Sequence, residues 1–154
     1  MSHTLKKILQ TSSDGSLPEI EVIFKDLDSA KKFVSSLVIK GSITKNSVIN
    51  SKGRDQDCYS LNKTELINML NIGHHLNIVN LGNIPELGIS IYPKSIGIDF
   101  QTGPDWTEDS IIEFELLLKN AKKDYNAISM VLDEENVKFS ETEKLFFDKF
   151  SRKL

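Results

Sequence analysis

The stretch that decides the fold is Leu87–Lys119, LGISIYPKSIGIDFQTGPDWTEDSIIEFELLLK. Leu87, Ile89 and Ile91 share one parity, Ile96, Ile98 and Phe100 share the other, and Pro93-Lys94 lies between the two runs. Strand side chains alternate faces, so closing the chain at Pro93-Lys94 pairs Ile91 with Ile96, Ile89 with Ile98 and Leu87 with Phe100. All six then stand on one face of a hairpin. Proline holds φ at about −65°, which suits position i+1 of a type I turn and favours a four-residue loop over a primed two-residue one. The opposite face carries Gly88, Ser90, Gly97 and Asp99, with Tyr92 at its end. Such a face is either wet or open to close approach by a partner.

Gly103-Pro104 ends the second strand, and Thr107 is placed to cap a helix with Glu108 and Asp109 in its first turn, where carboxylates complement the helix dipole. The helix is expected to run to Asp124. Its apolar set, Ile111, Ile112, Phe114, Leu116, Leu117, Leu118 and Ala121, is wider than a surface stripe and marks it as the central packing helix.

Working outward, Glu19–Lys25 alternates as a half-buried strand, and Asp28 is expected to cap a helix that Gly41 stops. Weaker strands are read at Ile43–Ile49 and Asp57–Ser60. Asn62 and Glu65 have capping-box spacing for a helix from Lys63 to Ile72. Leu76–Leu81 reads as a strand, and Ile128–Leu132 as the last one. Ser140 and Glu143 form a second capping box before a terminal helix expected to dock Leu145, Phe146, Lys149 and Phe150. Residues 1–16 are a lead-in or short helix carrying Leu5, Ile8 and Leu9. The expected architecture is α+β: a mainly antiparallel sheet packed against about four helices in a single layer on one face, with residues 17–154 as one domain.

Composition agrees with that reading. A chain of 154 residues can bury roughly 68–70% of its unfolded surface. No apolar run reaches the roughly 20 residues of a membrane span, and the N-terminus lacks a secretory signal, so a cytoplasmic location and no membrane partner are expected. The charge is −3 overall, divided as ten Lys/Arg against eight Asp/Glu in residues 1–80 and nine against fourteen in 81–154. Acidity gathers in the second half, and a basic footprint for nucleic acid is missing.

Few residues suggest catalysis. Cys58, the sole cysteine, has no second thiol for a disulfide or a CxxC motif. His74 and His75 are adjacent, so they point apart on a helix or a strand and chelate a metal poorly. Glycines occur singly, without a phosphate-cradling pattern, and no G-x-S-x-G elbow is present. No metal and no cofactor is expected. The informative cluster is acidic: Asp99, Asp105, Glu108, Asp109 and Glu113, with Trp106 among them. One reading is an ordinary helix start with a tryptophan staple. The sharper one is a negative patch with an aromatic anchor that steers and holds a basic protein partner.

The stretch ISIYPKSIGIDFQTGPDWTEDSIIEFELLL, residues 89–118, resembles the hairpin and helix of small bacterial immunity proteins, which neutralise toxins delivered between competing cells. The resemblance implies a cytoplasmic single-domain α+β protein that binds a toxin domain and blocks its active site or its activation. The function expected on these grounds is a non-enzymatic immunity or inhibitor protein with the acidic cluster as its partner surface. The alternatives are an adaptor that dimerises through the Gly88, Ser90 and Gly97 face, and an enzyme using Cys58 or a histidine.

Overall fold

The computed structural model describes residues 3–10, 17–49, 55–57, 62–133 and 139–154. In chain order these form α1 (His3–Gln10), β1 (Glu19–Phe24), α2 (Leu27–Lys40), β2 (Ser42–Ile49), β3 (Asp55–Asp57), α3 (Lys63–Met69), β4 (His74–Val79), β5 (Leu87–Ile91), β6 (Ser95–Phe100), α4 (Glu108–Asp124), β7 (Ala127–Asp133) and α5 (Glu141–Lys153). The class is α+β: six principal strands and the short β3 make one antiparallel sheet in the order β3-β2-β4-β5-β6-β1-β7, with five helices packed against it.

The hairpin has the register its parity required: Leu87 opposite Phe100, Ile89 opposite Ile98 and Ile91 opposite Ile96. Tyr92 N–H donates to the Ser95 carbonyl at 2.9 Å. Neither Pro93 nor Lys94 has positive φ, which excludes a primed turn. All six apolar residues are buried on one face beside Ile20, Val22, Phe24, Leu76, Ile78 and Met130, and the helices cover that face.

Caps and glycines explain where the helices start and stop. Thr107 Oγ1 accepts from Ser110 N–H at 3.2 Å, and Ser140 with Glu143 forms the reciprocal capping box. In α2 the cap is Asp26, one residue before the helix, whose carboxylate accepts from Ser29 N–H at 2.8 Å. The expected cap, Asp28, sits in the first turn and pairs with Lys32 at 3.1 Å. Two acids lie at this helix start, and apolar periodicity does not fix a helix end to the residue. Gly41 stops α2 without a left-handed conformation. A Cβ there would lie 2.6 Å from Ile78 and 2.8 Å from the Val79 carbonyl, so the residue is set by close approach to β4.

Three further expectations shift. α3 ends at Met69, so β4 begins at His74, two residues before the expected Leu76. β3 is Asp55–Asp57, while Cys58 and residues 59–60 of the expected strand lie outside the described residues. In α5 the buried stripe is Phe147 and Ser151 with Phe150 and Leu154 beside it, and Leu145 and Phe146 are exposed. α1 is a real helix with Leu5, Ile8 and Leu9 in the core. It holds the corner after β6, because Leu9 carbonyl accepts from Gly103 N–H at 2.8 Å and Gln10 donates to the Trp106 carbonyl at 2.7 Å.

Candidate functional site

The fold divides the acidic cluster. Trp106 is 1% exposed and packs edge-on with Phe100 and tilted against Phe114, at centroid distances of 6.0 and 5.2 Å. Its indole N–H donates to the Gln101 carbonyl at 2.7 Å. A tryptophan with its apolar body and polar tip both satisfied is a core residue, so it does not present an aromatic anchor to a partner. Glu113 is also occupied, accepting from Asn83 N–H at 2.6 Å and Asn83 Nδ2 at 2.9 Å. It clamps the Gly82-Asn83 turn, where Gly82 has φ of 59° and a Cβ would collide with that carboxylate. Asp105, Glu108 and Asp109 remain exposed at the start of α4, with Glu108 3.5 Å from Lys6.

Asp99 belongs elsewhere. Its side chain stands on the sheet face opposite the helices, which no described element covers. Register lines that face in two rows: Ser47, His75, Ser90, Gly97, Glu21 and Val131, then Lys45, Asn77, Gly88, Asp99, Glu19 and Asp133. Glycines occupy the middle of each row. A Cβ at Gly88 would meet the Asp99 carboxylate, and one at Gly97 would meet the Glu19 carboxylate and lie 3.1 Å from the Tyr92 ring. The two acids therefore lie flat over the sheet in space that the glycines leave empty.

Packing and charge raise the proton affinity of these groups. Burial pushes the Glu19 carboxyl up, against the Tyr92 hydroxyl that donates to it at 3.0 Å, and neighbouring Asp133, Asp99 and Glu21 add to the rise. Burial raises Asp99 too, opposed by His75. Tyr92 is held protonated well above the usual tyrosine range by burial and by Glu19. Ser95 donates to Glu21 at 2.7 Å. Glu86 accepts from Thr44 at 2.8 Å and from Asn77 at 3.3 Å. Glu19, Glu21, Glu86, Asp99 and Asp133 thus face Lys45 and His75.

The histidines separate as strand neighbours must. His74 is buried on the helix face against Asn46, and burial lowers its pKa. His75 contacts Ser90 Oγ through Nδ1 and Asn77 Oδ1 through Nε2, both at 2.8 Å. It lines a recess of about 390 Å³ with Lys45, Ser90 and Tyr92. A serine, a base and an orienting amide have the spacing of a nucleophilic set. Ser90 N–H, however, points into the β5–β6 ladder, as the Tyr92 N–H bond to Ser95 requires by parity. It is therefore not available to an oxyanion, and the His75–Ser90 contact ties β4 to β5. No group of three or more metal-ligating side chains occurs among the described residues, and no described helix is long and apolar enough to cross a membrane.

Composition and periodicity missed Glu19, Glu21 and Asp133 as companions of Asp99. The signal was alternation in Glu19–Lys25, but its use depends on β1 lying between β6 and β7, a pairing between segments far apart in sequence. Comparisons with protein-family models, curated proteins and solved structures find no match for this chain.

Proposed function

We propose that this protein acts by binding rather than by turnover, as an immunity or inhibitor protein that holds a basic toxin domain against an acidic surface. The observation that carries this reading is the sheet face that no described element covers, where five carboxylates face Lys45 and His75 and two of the acids lie over Gly88 and Gly97. Charge of one sign gathered on one face steers a cationic partner and complements it on arrival. Asp105, Glu108 and Asp109 add to the negative field at the start of α4. The resemblance of residues 89–118 to immunity proteins supports the toxin as the class of partner. Tyr92, 37% exposed beside these acids, takes the place that Trp106 was expected to fill.

The test is to look for a toxin domain encoded beside this gene and, where one is present, to produce the two together. Co-expression should restore growth of cells producing that domain, and binding should weaken steeply between low and high salt. Failure to restore growth, or an affinity indifferent to salt, rejects the proposal.

A further inference from the structure

Among the described residues the sheet ends at β7 on one side. Phe24 N–H donates to the Lys94 carbonyl and Lys25 N–H to the Asn126 carbonyl. Even-numbered residues of β1 therefore point toward β6 and odd-numbered ones toward β7. Glu19, Glu21 and Ile23 bond to Asp133, Val131 and Ser129, and the register shift lies beyond them, between Ile23 and Phe24. Met130 and Leu132 consequently turn their N–H and C=O groups away from β1, and these groups meet no hydrogen-bonding partner among the described residues. An open strand edge with unpaired main-chain groups is a template for another strand. Nothing in Ala127–Leu132, AISMVL, blunts it: there is no proline, glycine or charge. Val131 is 42% exposed.

We infer that this edge takes a second copy of the same chain, with β7 pairing antiparallel to β7 about a two-fold axis at Val131. The register is self-complementary. Met130 of each copy exchanges N–H and C=O bonds with Leu132 of the other, using the outward groups. Val131 meets its own copy in a non-hydrogen-bonded pair, where side chains approach most closely. Ser129 of each copy lies opposite Asp133 of the other, a hydroxyl against a carboxylate, and no like charges oppose each other. Such an axis is perpendicular to the sheet, so both acidic faces lie on one side and both helix layers on the other. The α5 helices, each packed on its own β7 and each exposing Leu145 and Phe146 at 52% and 47%, then come to the same side of the joint.

Sedimentation of the full chain over a concentration series should give twice the mass of one chain at the upper end. Val131→Lys should return the monomer with an unchanged circular-dichroism spectrum. In a Cys58→Ser background, Val131→Cys should cross-link under oxidised glutathione many times faster than Ser129→Cys, because only position 131 faces itself across the axis. A wild-type monomer at every concentration, a dimer that survives Val131→Lys, or equal cross-linking at 129 and 131 would overturn the inference.

Discussion

The carboxylates at Glu19 and Asp99 have a consequence that can be measured by titration. A carboxyl whose folded pKa exceeds its unfolded value binds more protons in the folded state. The stability these two groups contribute is fully present below the unfolded values, about 4, and is lost as pH rises through the folded ones. His74 has the opposite sign. Its folded pKa lies below the usual histidine value of about 6.5, so its contribution is present above that value and is lost as pH falls. Comparing the wild type with a Glu19→Gln/Asp99→Asn variant cancels the histidine. The wild type should gain stability relative to the variant on acidification from pH 7 to about pH 4.5, read by denaturant melts; a constant difference would show that neither carboxyl is raised. Gly97 tests the same packing from below. Gly97→Ala places a methyl group where the Glu19 carboxylate lies, and that flexible end can swing into water. The Glu19 titration midpoint should then fall toward the ordinary glutamate range, and an unchanged midpoint in an NMR titration would mean that the glycine is not what seats the acid.

Among the elements, α4 and α5 show what sequence does and does not determine. Thr107→Ala removes the hydroxyl that caps α4 and should cost about 1 kcal/mol in chemical denaturation. In α2, Asp26→Ala should destabilise more than Asp28→Ala, because Asp26 carries the cap and Asp28 only an exposed pair with Lys32. For α5, Phe147→Ala should cost about 3–5 kcal/mol, whereas Phe146→Ala should stay within about 0.5 kcal/mol, and the reverse order would mean that the stripe is misplaced. The hairpin was legible to the residue because parity and Pro93 both act within a dozen positions. The α4 cap and the Ser140 capping box were legible for the same reason. The α5 stripe was not: Leu145, Phe146, Phe147 and Phe150 offer more than one apolar face, and only the neighbours α1, α4 and β7 decide which one turns inward. Trp106 failed as a surface residue for a related reason. Its acidic surroundings in sequence are exposed, but α1 and the Phe100–Phe114 pair enclose its ring.

For the whole molecule, the strand order brings Glu19 and Glu21 from β1, Asp99 from β6 and Asp133 from β7 to one face, and no local pattern announces that meeting. The central claim is that this face, more than the acidic start of α4, holds a basic partner. Titration calorimetry at low salt with a basic toxin domain that co-purifies with the protein tests it most directly, comparing the wild type with Glu21→Lys/Glu86→Lys on the sheet face and Glu108→Lys/Asp109→Lys at the helix start. Reversing charge inside a complementary interface costs several kcal/mol. The sheet-face variant should therefore bind at least about tenfold more weakly than wild type, with a shallower salt dependence, while the helix-start variant loses only a small factor. Wild-type affinity in the sheet-face variant, with folding intact, would contradict the account.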